Sequence, residues 1–528
     1  MEMINDTIGG SLEKITRRYP ARDALIHAEK GTRYTYQLLS WQVDRAALGL
    51  AAYGVKRGDH VAIWAANIPE WLISMLAIVK LGAVFVPIDP GASREDLKYI
   101  LDQAECGVLM VSGELAEGTA KLEIPSLLNI IVISPSVSKV SGIPWPELID
   151  RGETVKPEKI LKMAEAVLPD DPVAIMYTSG TTGKPKGVVV DHLGLINKSF
   201  CSTERQKITE ADRLCLFFPL FHMFGNTCIA LSGLIRGAAL VMPSEDFDPV
   251  TILATIFSER CTAIYGSPAM FIGLLEHQAF SQERWRTVRT GIVGGAPCPM
   301  ELMTRLVEEI GVTDLTVGYG ITETSSWITM THPDDPLSLR VGTIGTTLPS
   351  NEVKIVDPGT GEEYPPHTQG ELCTRGFLMK EYYRMPGATA AAVDRDGWFH
   401  SGDLGEMDEK GYFKITGRLK DVIVRDETEI YPVEVEECLY KHPDVSEVQV
   451  FGVPHGEKGQ EVVAWVKLKE NAQLDEQALA AFSHAHVMEG MRPRYFKIVN
   501  DFPMTRSGKV QKFVLTEMAA EALSKDTF

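Results

Sequence analysis

The stretch Tyr177-Thr178-Ser179-Gly180-Thr181-Thr182-Gly183-Lys184-Pro185-Lys186-Gly187 decides how the chain is read. Glycines let backbone N–H groups converge on an anion. Ser and Thr hydroxyls add donors or reach a metal. Lysine brings a mobile positive charge to a phosphate. Before it, Pro172-Val173-Ala174-Ile175-Met176-Tyr177 is an apolar run that reads as a buried strand. A strand, a hydroxyl- and glycine-rich loop and then lysine are the parts of a loop that grips polyphosphate. It is not a Walker A loop, which needs about four residues between its first Gly and the Gly-Lys pair, then Ser or Thr. Here only Thr181 and Thr182 separate Gly180 from Gly183, and Pro185 follows Lys184.

At 528 residues the chain is too long for one compact core, so several subdomains are expected. Apolar content is 45% and charged content 23%, ordinary for a soluble globular protein. The net charge of −19 argues against a general nucleic-acid or membrane-surface binder, while leaving room for a local basic site. The eight cysteines are scattered with no C-x-x-C pair, which excludes a zinc knuckle or a thioredoxin-type motif and reads as buried reduced thiols. Met1 to Asp6 lacks the basic-then-apolar order of a secretory signal. No apolar run reaches the ~18 residues of a membrane span. Even Ile73 to Ile88 is interrupted by Lys80. A cytoplasmic protein without nucleic-acid partner or integral membrane contact is expected.

Helical and strand patterns alternate through the N-terminal half. Leu38 to Leu50 and Glu70 to Lys80 read as helices, and His60–Trp64 and Ala83–Pro87 as strands. The alternation resumes after the glycine-rich loop with strands at Ala238–Met242, Ala263–Gly266 and Thr290–Val293. This predicts an α/β protein with helices packed on largely parallel sheets. From about Asn351 short strands separated by Gly, Pro and Asp turns predict a β-rich subdomain, read as a distorted barrel, over 351–418. A small α+β unit follows, with a helix over Val433–Tyr440 and strands near Val445–Val450 and Val462–Leu468. The expected division is an N-terminal domain, 1–418, and a mobile C-terminal domain, 419–528.

These elements together resemble the adenylate-forming superfamily of acyl-CoA synthetases, peptide-synthetase adenylation domains and firefly-type luciferases. The resemblance rests on the Tyr177–Gly187 loop, Gly294-Gly295-Ala296-Pro297, Tyr319-Gly320-Ile321-Thr322-Glu323-Thr324, Trp398-Phe399-His400-Ser401-Gly402-Asp403, Gly417-Arg418-Leu419-Lys420-Asp421 and Ser507-Gly508-Lys509, all in the family's order. Pro219–Gly225 and Ser507–Phe513 look closest to medium-chain fatty acyl-CoA ligases.

The resemblance implies a reaction in two halves. A carboxylate attacks the α-phosphorus of ATP to give acyl-AMP and pyrophosphate. A thiol, usually of CoA, then takes the acyl group and expels AMP. Thr178, Ser179, Gly180, Thr181, Thr182, Gly183 and Lys186 would cradle the β- and γ-phosphates. Glu323, with Thr182, would hold Mg²⁺, which prefers hard oxygen ligands. Tyr319 and Gly320 would face the adenine, with Gly295, Ala296 and Pro297 on its other side. Asp403 would accept from both ribose hydroxyls, and Arg418 would contact the nucleotide. Lys509, supported by Thr322, would stabilise the charge that builds up in the adenylation transition state. Lys420 would be the hinge of the C-terminal domain. His222, Met223, Phe224, Val293, Ile321 and Trp327 would line the acyl pocket, with His222 as a gate and Trp327 shortening it in favour of short, medium, branched or ring-bearing acids. A homodimer is an expectation of the same kind.

One segment departs from the family. A glycine-rich loop, often Gly-Gly-Glu-Asn, usually precedes the Ile-x-Pro segment. Here Arg425, Asp426 and Glu427 lead into Thr428-Glu429-Ile430-Tyr431-Pro432. In the family this loop lines the pantetheine tunnel. Bulk and negative charge there predict a slowed second half-reaction with adenylation intact. The alternatives are an acyl-AMP ligase loading a carrier-protein thiol, a luciferase-like oxygenase, or a non-catalytic nucleotide-binding protein.

Overall fold

The computed structural model describes residues 2–119, 122–133, 142–178, 184–349, 351–456, 458–469, 472–504 and 510–524. Contacts divide the chain into two compact units: Met1–Glu352 with Thr374–Phe399, and Val353–Cys373 with His400–Phe528.

Two sheets build the first unit. In the nine-stranded sheet the spatial order is Thr346–Thr347, Ser326–Met330, Asp314–Ile321, Thr290–Gly294, Ala263–Gly266, Arg213–Cys215, Ala239–Met242, Asp23–His27 and Thr32–Thr35. Its interior strands, from Asp314–Ile321 to Asp23–His27, run parallel. The eight-stranded sheet runs Glu381–Tyr382, Lys186–Asp191, Pro172–Thr178, Val84–Ile88, His60–Trp64, Val108–Val111, Asn129–Val132 and Ile143–Pro144. Helices cover these strands, as the alternating pattern requires. The helix Pro69–Lys80 is buried on nearly every side, so its sequence is apolar all round rather than striped. Its one buried charge, Lys80, is neutralised by Asp44 at 2.5 Å and Glu13 at 3.3 Å. Among the described residues no helix is long and apolar enough to cross a membrane.

The second unit carries a four-stranded sheet, order Asn351–Val356, Gly370–Gly376, Phe399–Met407 and Phe413–Arg418, whose strand ends fall at the division. This is the region read from sequence as a distorted barrel. A second sheet orders Thr428–Ile430, Ile423–Arg425, Gly459–Leu468 and Val445–His455, with Tyr495–Ile498 beside Gly459–Leu468. The helix Pro432–Leu439 starts with proline in its first turn and buries Val435 and Leu439. The short turn that holds Lys420 lies inside this unit, and Lys420 is exposed.

A buried histidine ties the helix Ile8–Arg18 to the helix His192–Arg205. His192 opens the helix His192–Arg205, and its Nδ1 accepts from the Ile8 amide at 3.2 Å. Burial lowers its pKa from 6.5 to about 4. The imidazole is therefore neutral when folded and charges more readily when unfolded. This contribution is complete above pH 6.5 and fades as pH falls toward about 4. Urea denaturation at stepped pH should show stability declining across that window, with a shallower decline in His192→Gln; equal slopes would refute the assignment.

Candidate nucleotide and acyl site

The glycine-rich loop joins two antiparallel strands, with Tyr177 opposite Gly187 and Thr178 opposite Lys186. Thr178 and Lys186 thus stand at the mouth of one hairpin. Gly187 is required by packing, because a Cβ there would lie 2.7 Å from the Ile175 side chain. Ser179, Gly180, Thr181, Thr182 and Gly183 lie outside the described residues, as does Lys509.

The adenine-side segments come together at the carboxyl ends of two parallel strands, Thr290–Gly294 and Asp314–Ile321, where Gly294 pairs with Gly318. Open α/β sheets bind ligands at such ends. Gly295 follows at a φ of 85°, and Gly295, Ala296 and Pro297 are exposed. Tyr319 is half-buried opposite Thr329. Gly320 next to it admits no side chain, since a Cβ would sit 2.1 Å from the Ser326 carbonyl oxygen. The chain then turns sharply through Thr322–Thr324. The buried Thr324 hydroxyl lies 2.9 Å from the Ile321 carbonyl and 2.8 Å from that of Ser326. Ser325 and Ser326 follow at φ values of 55° and 112°, a left-handed excursion that costs non-glycine residues energy. Glu323 stands on this strained turn.

Glu323 is held from the far side by a residue that sequence reading missed. The Tyr382 hydroxyl donates to Glu323 Oε1 at 2.8 Å, and the Met379 amide donates to the Glu323 carbonyl at 2.7 Å. The ring of the same tyrosine lies 4.2 Å from the Lys186 ammonium, a cation–π distance. Burial and the Glu323 charge push the Tyr382 phenol well above its ordinary pKa, so it remains a donor. Glu323 Oε2 makes no hydrogen bond among the described residues, which leaves a hard oxygen for a cation such as Mg²⁺. No periodic signal marks Tyr382, because Glu381–Tyr382 is a two-residue edge strand beside Lys186–Asp191.

Three of the residues expected to line an acyl pocket, His222, Phe224 and Trp327, are joined through Phe218 in one aromatic chain. His222 lies 5.5 Å from Phe218, Phe218 4.5 Å from Phe224, and Phe224 5.1 Å edge-on to Trp327. Met223, Phe224, Val293 and Trp327 are buried, whereas His222 and Ile321 are half-buried. The indole of Trp327 fits against glycines: a Cβ at Gly318 would lie 3.0 Å from it, and one at Gly294 3.1 Å. His222 Nδ1 accepts from the Phe224 amide at 3.1 Å, which places the ring hydrogen of the neutral imidazole on Nε2. The helix Phe224–Leu231 is a wide π-turn, a form frequent at functional sites.

In the second unit, Asp403 is buried and pairs across the sheet with Arg418, whose Nε lies 2.8 Å from Asp403 Oδ1. Arg425 donates to the buried Glu461 at 2.6 Å and to the Arg492 carbonyl at 3.0 Å. Burial alone would raise the Glu461 carboxyl, but the bonds from Arg425 and the Val462 amide outweigh it and hold it below its usual value. Asp426 and Glu427 form a two-residue hairpin turn at φ values of 52° and 62°. Both therefore adopt the backbone that glycines would supply. Asp426, Thr428, Lys458, Arg492 and Arg494 are among the residues lining a cavity of about 580 Å³. A different donor set, Glu371, Cys373 and His400, has its ligand atoms within 4.8 Å of one another.

Comparison with known proteins gives this geometry its family. The AMP-binding enzyme model matches residues 12–383, and the AMP-binding enzyme C-terminal domain matches residues 434–509. The chain belongs to the AMP-binding enzyme family. A putative acyl-CoA synthetase, YngI of Bacillus subtilis (strain 168), is 41% identical over 542 residues, covering 98% of both chains. The human mitochondrial medium-chain acyl-CoA ligase ACSF2 is 32% identical over 545 residues, covering 98% of this chain and 88% of its own. ATP-bound MatB from Rhodopseudomonas palustris superposes with a TM-score of 0.88 at 28% identity, covering 98% and 99% of the two chains. The anthranilate CoA ligase AuaEII in complex with anthranoyl-AMP superposes with a TM-score of 0.87 at 25% identity, covering 99% of each.

For this AMP-binding enzyme the Tyr382 hydroxyl is open to direct test. Tyr382→Phe keeps the ring beneath Lys186 and removes the bond to Glu323. Pyrophosphate release from ATP should fall about tenfold while the thermal midpoint drops only a few degrees. Unchanged pyrophosphate release would show that the phenol does not hold Glu323 for its work.

Proposed function

We propose that the protein is an AMP-forming carboxylate–CoA ligase acting on short- to medium-chain, aromatic or alicyclic acids. Its family and its acyl-CoA synthetase relatives support the broad activity. Trp327 carries the finer reading. Its buried indole, wedged against Gly294 and Gly318 and edge-on to Phe224, fills space that a long acyl chain would need.

In this reading the acid's carboxylate oxygen bonds to the α-phosphorus of ATP as the bond to the β-phosphate oxygen breaks and pyrophosphate leaves. The CoA thiol loses its proton and attacks the acyl carbonyl, and AMP departs. The reverse reaction is open to the same site. Thr178, Lys186 and the loop between them hold the terminal phosphates. Tyr319, Gly320, Gly295, Ala296 and Pro297 flank the adenine. Asp403 accepts from the ribose hydroxyls, beside Arg418. Glu323 and Thr182 hold Mg²⁺, which when bound neutralises phosphate charge. Lys509, with Thr322, stabilises the charge that develops at the α-phosphate. Lys420 is the hinge, and His222 covers the reacting carboxylate. A homodimer and a cytoplasmic location are part of the same proposal.

One observation favours a second reading, an acyl-AMP ligase serving a carrier-protein thiol. Asp426 and Glu427 place carboxylates on a turn where the resemblance expects glycine beside an anionic CoA.

Mass spectrometry of products from ATP, Mg²⁺, CoA and a panel of short, medium, long, aromatic and alicyclic acids tests the proposal. Acyl-CoA from the shorter or ring-bearing acids is expected, and Trp327→Gly should move the preference toward longer chains. Acyl-AMP accumulating without thioester supports the carrier-thiol reading, and an unmoved chain preference removes Trp327 as the selector. Replacing Asp426 and Glu427 with glycine should raise the thioester-to-adenylate ratio. Relief of two left-handed side chains should also stabilise the chain by up to about 1 kcal/mol in thermal denaturation. An unchanged ratio would clear the turn of any effect on thiol transfer.

A further inference from the structure

The turn that carries Asp403 is tied down by a buried carboxylate to which the resemblance gives no part. Glu371 and Cys373 are two residues apart on the strand Gly370–Gly376 and so share a face of it. The neighbouring strand, Phe399–Met407, brings His400 to the same place. His400 Nδ1 donates to Glu371 Oε2 at 2.7 Å, and Cys373 Sγ lies 3.4 Å from that nitrogen. The Gly402 amide donates to Glu371 Oε1 at 2.9 Å. Ser401 completes the tie: its hydroxyl donates to the Leu372 carbonyl at 2.6 Å and accepts from the Asp403 amide at 3.0 Å. Gly402 supplies the left-handed bend, at a φ of 69°.

A buried carboxylate is costly unless its bonds are well used. The Glu371 side chain is 7% exposed, and among the described residues its oxygens bond only to His400 and Gly402. An apolar residue would fill that space with no such cost. Both bonds end within three residues of Asp403, on the chain leading into it.

We propose that Glu371, with His400, is a positioning residue for Asp403, fixing the turn so that the Asp403 carboxylate is aimed at the nucleotide's ribose hydroxyls. This rests on the ribose role proposed above for Asp403. Glu371 touches no substrate; it acts by holding the backbone from which Asp403 projects. Loss of the brace therefore weakens recognition of the ribose hydroxyls and leaves the rest of nucleotide recognition alone.

The test compares ATP with 2′,3′-dideoxy-ATP, which lacks both hydroxyls. KM and kcat are measured for each nucleotide in the wild type, Glu371→Ala, Glu371→Gln, Asp403→Ala and the Glu371→Ala/Asp403→Ala pair. Glu371→Ala should raise the KM for ATP about tenfold and leave that for the dideoxy nucleotide within about twofold, collapsing the preference between them. Glu371→Gln keeps an acceptor for the Gly402 amide and should recover most of the preference. The double variant should be no worse than Asp403→Ala alone. If alanine at 371 prevents folding, His400→Ala removes one anchor from the exposed side and should reduce the preference about threefold. Equal losses for both nucleotides, or none for either, would overturn the brace. An Asp403→Ala chain that loses its preference while Glu371→Ala keeps it overturns the brace alone. An Asp403→Ala chain that keeps its preference overturns the ribose role, and the brace with it.

Discussion

One phenol joins the two sheets of the first unit. Tyr382 belongs to a two-residue strand on the edge of the eight-stranded sheet, and its hydroxyl donates to Glu323 beyond the end of a strand in the nine-stranded sheet. Its ring lies under Lys186, on the strand it pairs with. One side chain thus sets the spacing between a carboxylate and an ammonium that come from different sheets. Neither group could be kept in place by its own sheet alone. Glu323 stands on a strained turn, and Lys186 at the mouth of a hairpin. Strain of this kind persists only where surrounding bonds over-determine it. The Thr324 hydroxyl and the Met379 amide provide them on one side and Tyr382 on the other.

Close approach is the second constraint. Gly294, Gly318 and Gly320 sit where neighbouring strands present the Trp327 indole and the Ser326 carbonyl. The absence of side chains at Gly294 and Gly318, on two neighbouring strands, makes room for one large aromatic. Trp327 then extends through Phe224 and Phe218 to His222.

Much of this was legible as local pattern. His60–Trp64 and Ala263–Gly266 are strands with the bounds their apolar runs predict, and the helix expected over Val433–Tyr440 forms as Pro432–Leu439. Tyr382 and Glu371 were not legible. Tyr382 lies in a strand too short to have a period, and its partner is 59 residues away. Glu371 reads as an ordinary charged residue at a strand start, and only the neighbouring strand shows what its two oxygens hold. Asp426 and Glu427 stood out in the sequence as missing glycines; their left-handed backbone is a property of the two-residue hairpin around them.

The sequence by itself determined which stretches are strands and helices, that the chain would pack as α/β layers, and that one hydroxyl-, glycine- and lysine-rich loop has the residue types that suit phosphate. Those follow from periodicity, turn chemistry and motif order, all of which act over a few residues. Tertiary structure alone decided that Tyr382 links Lys186 to Glu323, that glycines on two strands admit one indole, and that Glu371 ties down the turn before Asp403. Each of these depends on a contact between residues distant in the chain, and such a contact exists only once strand order and register have brought its two ends together.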